Sequence, residues 1–319
     1  MKQKIYVTRK IPEYIVETYR SKYDIRMWEE AETPVPRDVL LREVEEVDAL
    51  FSTLSEKIDH ELFEAGKNLK IVSNLAVGYD NIDLDAANQF GIPVSNTPDV
   101  LTETTADLTF ALLMATARRL IEGYKCIEED KWKNWAPFML AGTDVHHKTI
   151  GIVGMGRIGE AVARRANGFN MEIIYHNRSR KKDFEKAMDA NYKEFEDLLE
   201  EADFVVSLLP LTNETKETFN KAAFKKMKET AIFINASRGG VVNEIDLHQA
   251  LISGKIRAAG LDVFETEPIS SDHPLFKLEN VVALPHIGSA TIETREKMIE
   301  LCFKNIEAVL AGKEPLTKI

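Results

Sequence analysis

The sequence predicts an α/β protein of two doubly wound parallel sheets. Three observations carry that expectation. Short β-branched runs alternate with helical patterns from the start, and the alternation begins again near residue 149 after a long helical stretch. The strand that restarts it runs straight into Gly154-Met-Gly156-Arg-Ile-Gly159. At 319 residues the chain exceeds one ordinary core, so two domains are expected.

In the first series the expected strands are residues 4–8, 23–28, 47–53, 70–77 and 92–95, with helices at 12–21, 36–46, 59–66 and 84–91 between them. A long helical pattern covers 101–129, with Thr102 as a cap and Glu103 near the positive end of the helix dipole. The second series places strands at 149–153, 172–175, 204–208, 231–235, 259–263 and 281–284. A terminal helix at 291–310 has no strand left to precede, and it could pack back on the first unit.

Composition narrows the function. With 44% apolar and 29% charged residues the chain can bury a sizeable core. A net charge of −11 argues against a general binder of nucleic acid or anionic membranes. Cys126 and Cys302 are the two cysteines, without metal spacing, so reduced thiols in a cytoplasm are expected. The start lacks the apolar core of a signal peptide, and no apolar run is long enough to span a membrane. His146-His147 lack partners at metal-ligand spacing, so no metal site is expected.

The glycine pattern sits between an apolar strand and a helix-forming run, which is the setting a dinucleotide turn requires. Gly154 permits the tight turn, Gly156 lets a diphosphate approach the backbone, and Gly159 lets helix and strand pack closely. An NAD site then places an acid after the next strand. Here that position holds Asn177, followed by Arg178, Ser179 and Arg180. Two guanidinium forks and a hydroxyl suit a 2′-phosphate, so NADP is expected, with NADPH preferred over NADH.

Polar residues gather where further strands end, which is where open α/β sheets hold ligands. Arg238 follows the strand at 231–235, Glu265 and Glu267 follow 259–263, and His286 follows 281–284. A guanidinium can clamp a carboxylate in two prongs, and a histidine beside a carboxylate can serve as a general acid. With a nicotinamide as hydride source, this set suits reduction of a ketone. The residues alone leave open which of the two glutamates supports His286.

These motifs, with Asn74-Leu-Ala-Val-Gly-Tyr-Asp-Asn-Ile-Asp83, Gly260-Leu-Asp-Val-Phe-Glu-Thr-Glu-Pro268 and Pro285-His-Ile-Gly-Ser-Ala-Thr291, resemble the D-isomer-specific 2-hydroxyacid dehydrogenases over nearly the whole chain. Within that family the sequence is most similar to the glyoxylate/hydroxypyruvate reductase branch. The resemblance implies a flavodoxin-like substrate domain from residues 1–100 plus 292–319, and an inserted Rossmann domain with a dimer-forming segment at 101–291. It implies that Arg238 clamps substrate, His286 donates the proton and Glu267 supports it. Leu54 and the backbone N–H groups of Val77 and Gly78 would also contact the substrate. Cofactor contacts would come from Thr105, Gly154, Met155, Gly156, Arg157, Ile158, Gly159, Asn177, Arg178, Ser179, Arg180, Leu209, Pro210, Ala236, Arg238, Asp262, His286 and Gly288.

Some reductases of this branch extend a tryptophan from the segment equivalent to 134–142 into the partner's active site. This chain has Trp135 but Phe138-Met139 further on, and a thioether adapts to more shapes than an indole, so a broader substrate range is expected. The expected activity is NADPH-dependent reduction of glyoxylate, hydroxypyruvate and, given Met139, 2-ketogluconate by a homodimer. The alternative is a dinucleotide-sensing scaffold like the C-terminal-binding-protein corepressors. The ends of this chain lie close around its expected folded units, which favours the enzyme. Formate enzymes put an amide where Glu267 stands, which argues against a formate-oxidising relative.

Overall fold

The computed structural model describes residues 2–319. The chain divides into two compact units, one of residues up to Leu101 together with Ala290–Ile319, the other Thr102–Ser289.

The first unit runs β1 (Lys4–Val7), α1 (Glu13–Arg20), β2 (Asp24–Met27), α2 (Arg37–Val44), β3 (Ala49–Ser52), α3 (His60–Ala65), β4 (Ile71–Asn74), α4 (Leu84–Phe90) and β5 (Val94–Ser95). All five strands pair in parallel in the order β2-β1-β3-β4-β5. The C-terminal helix Ile292–Leu310 packs on β3 and β4. Its Phe303 is fully buried, stacked on Tyr19 and tilted against Phe51. Thr291 caps this helix, accepting from the Thr294 N–H.

The second unit begins with α5 (Thr102–Ala117) and α6 (Leu120–Glu128). One continuous helix over 101–129 was expected, and the structure divides it. Thr143 N–H donates to the Ala117 carbonyl at 2.8 Å, taking the acceptor that a continuing turn would use. The crossing is so close that a Cβ on Gly142 would lie 2.2 Å from that oxygen. Arg119 then turns left-handed, with φ of 55°, and α6 leaves in a new direction. Thr102 is the first residue of α5 rather than its cap, while Glu103 does lie in the first turn.

The remaining elements are β6 (Thr149–Val153), α7 (Arg157–Gly168), β7 (Glu172–His176), α8 (Lys182–Met188), β8 (Asn191–Tyr192), α9 (Phe195–Glu201), β9 (Phe204–Ser207), α10 (Lys221–Lys226), β10 (Ile232–Asn235), α11 (Glu244–Ile252), β11 (Ala258–Leu261) and β12 (Val281–Ala283), with α12 the C-terminal helix already described. Seven parallel strands form the order β12-β11-β10-β9-β6-β7-β8. The direction of winding reverses between β6 and β9, so the fingerprint turn after β6 opens at the switch point. α5 is buried along most of its length against α7, β10 and β11. No helix among the described residues is long and apolar enough to cross a membrane.

Candidate active site

The three fingerprint glycines differ in what surrounds them. Gly154 has φ of 103°, and a Cβ there would meet the Leu208 carbonyl at 2.7 Å. A Cβ on Gly159 would lie 2.5 Å from the Gly154 oxygen. Both are therefore needed for packing. Gly156 has nothing within 4 Å of its missing Cβ, although it directly precedes α7. That open space at a helix N-terminus is a cradle that a side chain would fill, and it fits a dinucleotide diphosphate. The Gly154 approach also brings the Leu209-Pro210 loop alongside the turn.

After β7 the basic turn has internal structure. Asn177 Nδ2 donates to the Ser179 carbonyl at 2.9 Å, closing the turn. Arg180 is engaged within the chain: its Nε and a terminal nitrogen reach both oxygens of Glu185 at 3.0 and 2.6 Å. Hydrogen bonds from Arg180 and from Tyr175, outweighing a smaller burial effect, bring the Glu185 carboxyl down to about 2. Arg178 and Ser179 are exposed.

The exit of β10 is built by Asn235, which is 1% exposed. Its Oδ1 accepts from the Ser237 N–H and hydroxyl, and its Nδ2 donates to the Arg238 carbonyl at 2.9 Å. In the sequence this role is signalled only by an asparagine at the end of an apolar run, which is easily missed. Gly239 then lies against the next loop so tightly that a Cβ would be 1.8 Å from the Phe264 carbonyl carbon. This contact sets Arg238 beside the loop that carries Glu267.

Glu267 Oε1 accepts the Phe264 N–H at 2.9 Å, and Oε2 lies 2.7 Å from His286 Nδ1. Burial pushes the Glu267 carboxyl up. The His286 hydrogen bond and charge, the Phe264 N–H and the Arg238 charge outweigh it and hold the group below its ordinary value. The structure thus separates the two glutamates: Glu267 reaches the imidazole, while Glu265 is exposed and its N–H is bound by Glu244. His286 itself sits at φ of 54° after β12. Its N–H donates to the Asp262 carbonyl at 2.8 Å, and the Asp262 carboxylate accepts the Ile287 N–H. Asp262 is buried, and that burial raises its carboxyl above the ordinary aspartate value despite the N–H groups of Ile287 and Gly288 and the His286 charge. Thr105, Asp262 and Gly288 are brought together: a Cβ on Gly288 would meet Asp262 Oδ2 at 3.3 Å and Thr105 Cγ2 at 3.4 Å.

In the first unit the chain leaves the sheet after Asn74, earlier than the expected end of that strand. Asn96 and Asn74 side-chain amides bind the carbonyls of Val77 and Gly78 at 2.8 and 3.2 Å. The N–H groups of Val77 and Gly78 donate to no carbonyl among the described residues. Leu54 is half-buried on a loop that Glu56 ties down through the Thr53 N–H and hydroxyl. No group of three or more metal-ligating side chains occurs among the described residues.

A doubly wound sheet with an open glycine cradle at its switch point, and a histidine–carboxylate pair at later strand ends of the same sheet, defines a dinucleotide-dependent oxidoreductase. Comparison with known proteins narrows the class. The family described as "D-isomer specific 2-hydroxyacid dehydrogenase, NAD binding domain" matches residues 110–288. A glyoxylate reductase of Pyrococcus horikoshii is 50% identical over 100% of this chain and 96% of its own length. A solved protein of Thermus thermophilus shares 41% identity with a TM-score of 0.93, over 99% of this chain and 100% of that one. An NADPH-dependent glyoxylate/hydroxypyruvate reductase of Sinorhizobium meliloti, solved with NADP and malonate, is 32% identical with a TM-score of 0.87, over 100% of this chain and 97% of that one. The chain belongs to the D-isomer-specific 2-hydroxyacid dehydrogenase family. It is an NAD(P)-dependent dehydrogenase, and the corepressor-like alternative is not favoured.

Proposed function

We propose that the protein reduces glyoxylate to glycolate and hydroxypyruvate to D-glycerate, using NADPH in preference to NADH. The observation that carries the reading is the His286–Glu267 pair, 2.7 Å apart, in a chain 50% identical to a glyoxylate reductase. The cofactor diphosphate would lie on Gly156 and the start of α7, the 2′-phosphate at Arg178, Ser179 and Arg180, and the nicotinamide near Thr105 and Asp262. Bound there, the nicotinamide supplies the hydride.

The chain's own groups do the rest. Arg238 grips the substrate carboxylate with its guanidinium. The Val77 and Gly78 N–H groups, which donate to no carbonyl among the described residues, are free to bind an anion in the first unit. Glu267 binds His286 Nδ1, which leaves Nε2 to deliver a proton to the carbonyl oxygen as it becomes an alkoxide. In the first unit Leu54 would contact and select small substrates, and Met139 in place of an indole would admit a longer acid such as 2-ketogluconate.

The test is kcat/KM with NADPH for glyoxylate, hydroxypyruvate, pyruvate and 2-ketogluconate, with chiral analysis of the glycerate formed. Hydroxypyruvate should exceed pyruvate, because a site that binds a hydroxyl penalises its absence. L-Glycerate, or a preference for bulky aromatic 2-oxo acids, would overturn the proposal.

A further inference from the structure

We propose that Glu244, held in place by His273, is a positioning residue for the His286–Glu267 pair and acts through the backbone of the turn at 264–268. The inference rests on the reading of His286 and Glu267 given above.

Glu244 opens α11, immediately after the cap residue Asn243. Its side chain is only 13% exposed and reaches two partners. Oε1 accepts the Glu265 N–H at 2.8 Å, and Oε2 lies 3.2 Å from His273 Nε2. The other ring nitrogen of His273 accepts the Leu275 N–H at 3.4 Å. With Nδ1 accepting, the proton of His273 belongs on Nε2, where it donates to Glu244.

The same turn is held from its other side. Glu267 Oε1 takes the Phe264 N–H, and this leaves Oε2 facing His286. Two consecutive N–H groups, of Phe264 and Glu265, are therefore bound by two carboxylates, Glu267 on the turn itself and Glu244 on α11. Gly239 blocks a third direction by its contact with the Phe264 carbonyl. On the remaining side lies a cavity of about 490 Å³ lined by Glu244, His248, Glu265, Pro268 and His273. Without Glu244, water from this cavity would satisfy the Glu265 N–H. The loss would then fall on the shape of the turn, and so on the placement of Glu267, rather than on a stranded buried donor.

The experiment compares Glu244→Ala, Glu244→Gln, Glu267→Gln and the Glu244→Ala/Glu267→Gln double variant by pH profiles of kcat and by thermal melting. Glu244→Ala should lower kcat about tenfold, the lower end of what one charge-assisted hydrogen bond supports, with cofactor KM unchanged. Its basic limb should move to lower pH, in the same direction as that of Glu267→Gln. Glu244→Gln keeps an oxygen for the Glu265 N–H and should recover most of the rate. The double variant should be no slower than Glu267→Gln alone, because both changes break one chain of contacts. Additive losses, or an unmoved basic limb with a lowered melting temperature, would overturn the proposal. An unmoved limb in Glu267→Gln itself would instead remove the reading beneath it, and this inference with it. Should Glu244→Ala fail to fold, His273→Ala tests the same link: a smaller shift in the same direction supports it, and no shift refutes it.

Discussion

Nδ1 of His286 and Oε2 of Glu267 stand 2.7 Å apart, on residues from two different strand exits. The imidazole is therefore fixed at one nitrogen and available at the other. Replacing His286 by Ala should lower kcat by about 10²–10⁴-fold, the usual scale of general acid catalysis, while cofactor affinity is retained. The His286 contact in turn helps hold the Glu267 carboxyl below its ordinary value, against its burial. If His286 is the proton donor proposed above, Glu267→Gln removes the carboxylate charge at that 2.7 Å contact and should move the basic limb of kcat to lower pH. Steady-state rates from pH 5 to 10, with cofactor titration by fluorescence, check both variants.

The basic turn gives an unequal pair of arginines. Arg180 already binds Glu185 through two hydrogen bonds, whereas Arg178 is exposed and forms no such fork among the described residues. Losing a charge-assisted bond to the 2′-phosphate costs about 1.5–3 kcal/mol, so Arg178→Ala should reduce kcat/KM for NADPH about tenfold to a hundredfold. Arg180→Ala should cost less, because that side chain must first leave Glu185. Rates with NADPH and NADH for both variants decide it; an unchanged preference in Arg178→Ala would make the turn a solvated surface.

Asp203 makes the acid stability testable. Burial raises its carboxyl, but the Thr149 N–H and the Lys228 ammonium outweigh that and leave it lowered. A lowered folded value gives stability that is full above the ordinary aspartate range and is lost as pH falls through the folded value. Asp203→Asn keeps the N–H acceptor but not the charge, so it should be less stable by about 1 kcal/mol at pH 7. Melting temperatures of the two proteins should converge once pH has fallen below the ordinary aspartate range and through that lowered folded value. A gap that persists there would assign the loss to packing.

The apolar surface of α6 calls for a partner. None of its residues is buried, and Leu120, Tyr124 and Ile127 are each more than half exposed, as are Trp132, Trp135 and Phe138. We expect a homodimer formed through this region. Light scattering at micromolar concentration should give twice 36.1 kDa, and Ile127→Glu should shift the mass toward the single chain. A wild-type mass near 36.1 kDa would refute it.

Much of this site was legible because strand ends and glycine spacing obey local rules. β6 begins and ends where its apolar run does, and the glycine turn follows as the spacing requires. Other features depend on contacts distant in sequence. The break at Arg119 is caused by residues 142–143 crossing Ala117, which no periodicity within 101–129 reveals. Glu265 and Glu267 are both acids two positions apart, and only the fold of their turn shows which reaches His286. Glu244 and His273 look like ordinary surface polar residues until the fold sets Glu244 between His273 and that turn.

The seating of α12 on β3 and β4 has a consequence for how the protein is made. Ser73 on β4 donates to the carbonyl of Cys302 at 3.2 Å, and Cys302 is so completely enclosed that burial pushes its thiol up to about 12. A nascent chain emerging from the ribosome has all five strands of the first sheet before this cover is synthesised. Thr102–Ser289 must emerge in between, as a unit with its own core. The N-terminal sheet therefore waits with one face uncovered while the intervening unit folds, and it is sealed only when the last thirty residues arrive. Chains released early would expose the apolar surface around Phe51 and Tyr19, which makes premature termination, more than slow folding, the hazard this topology presents to a cell.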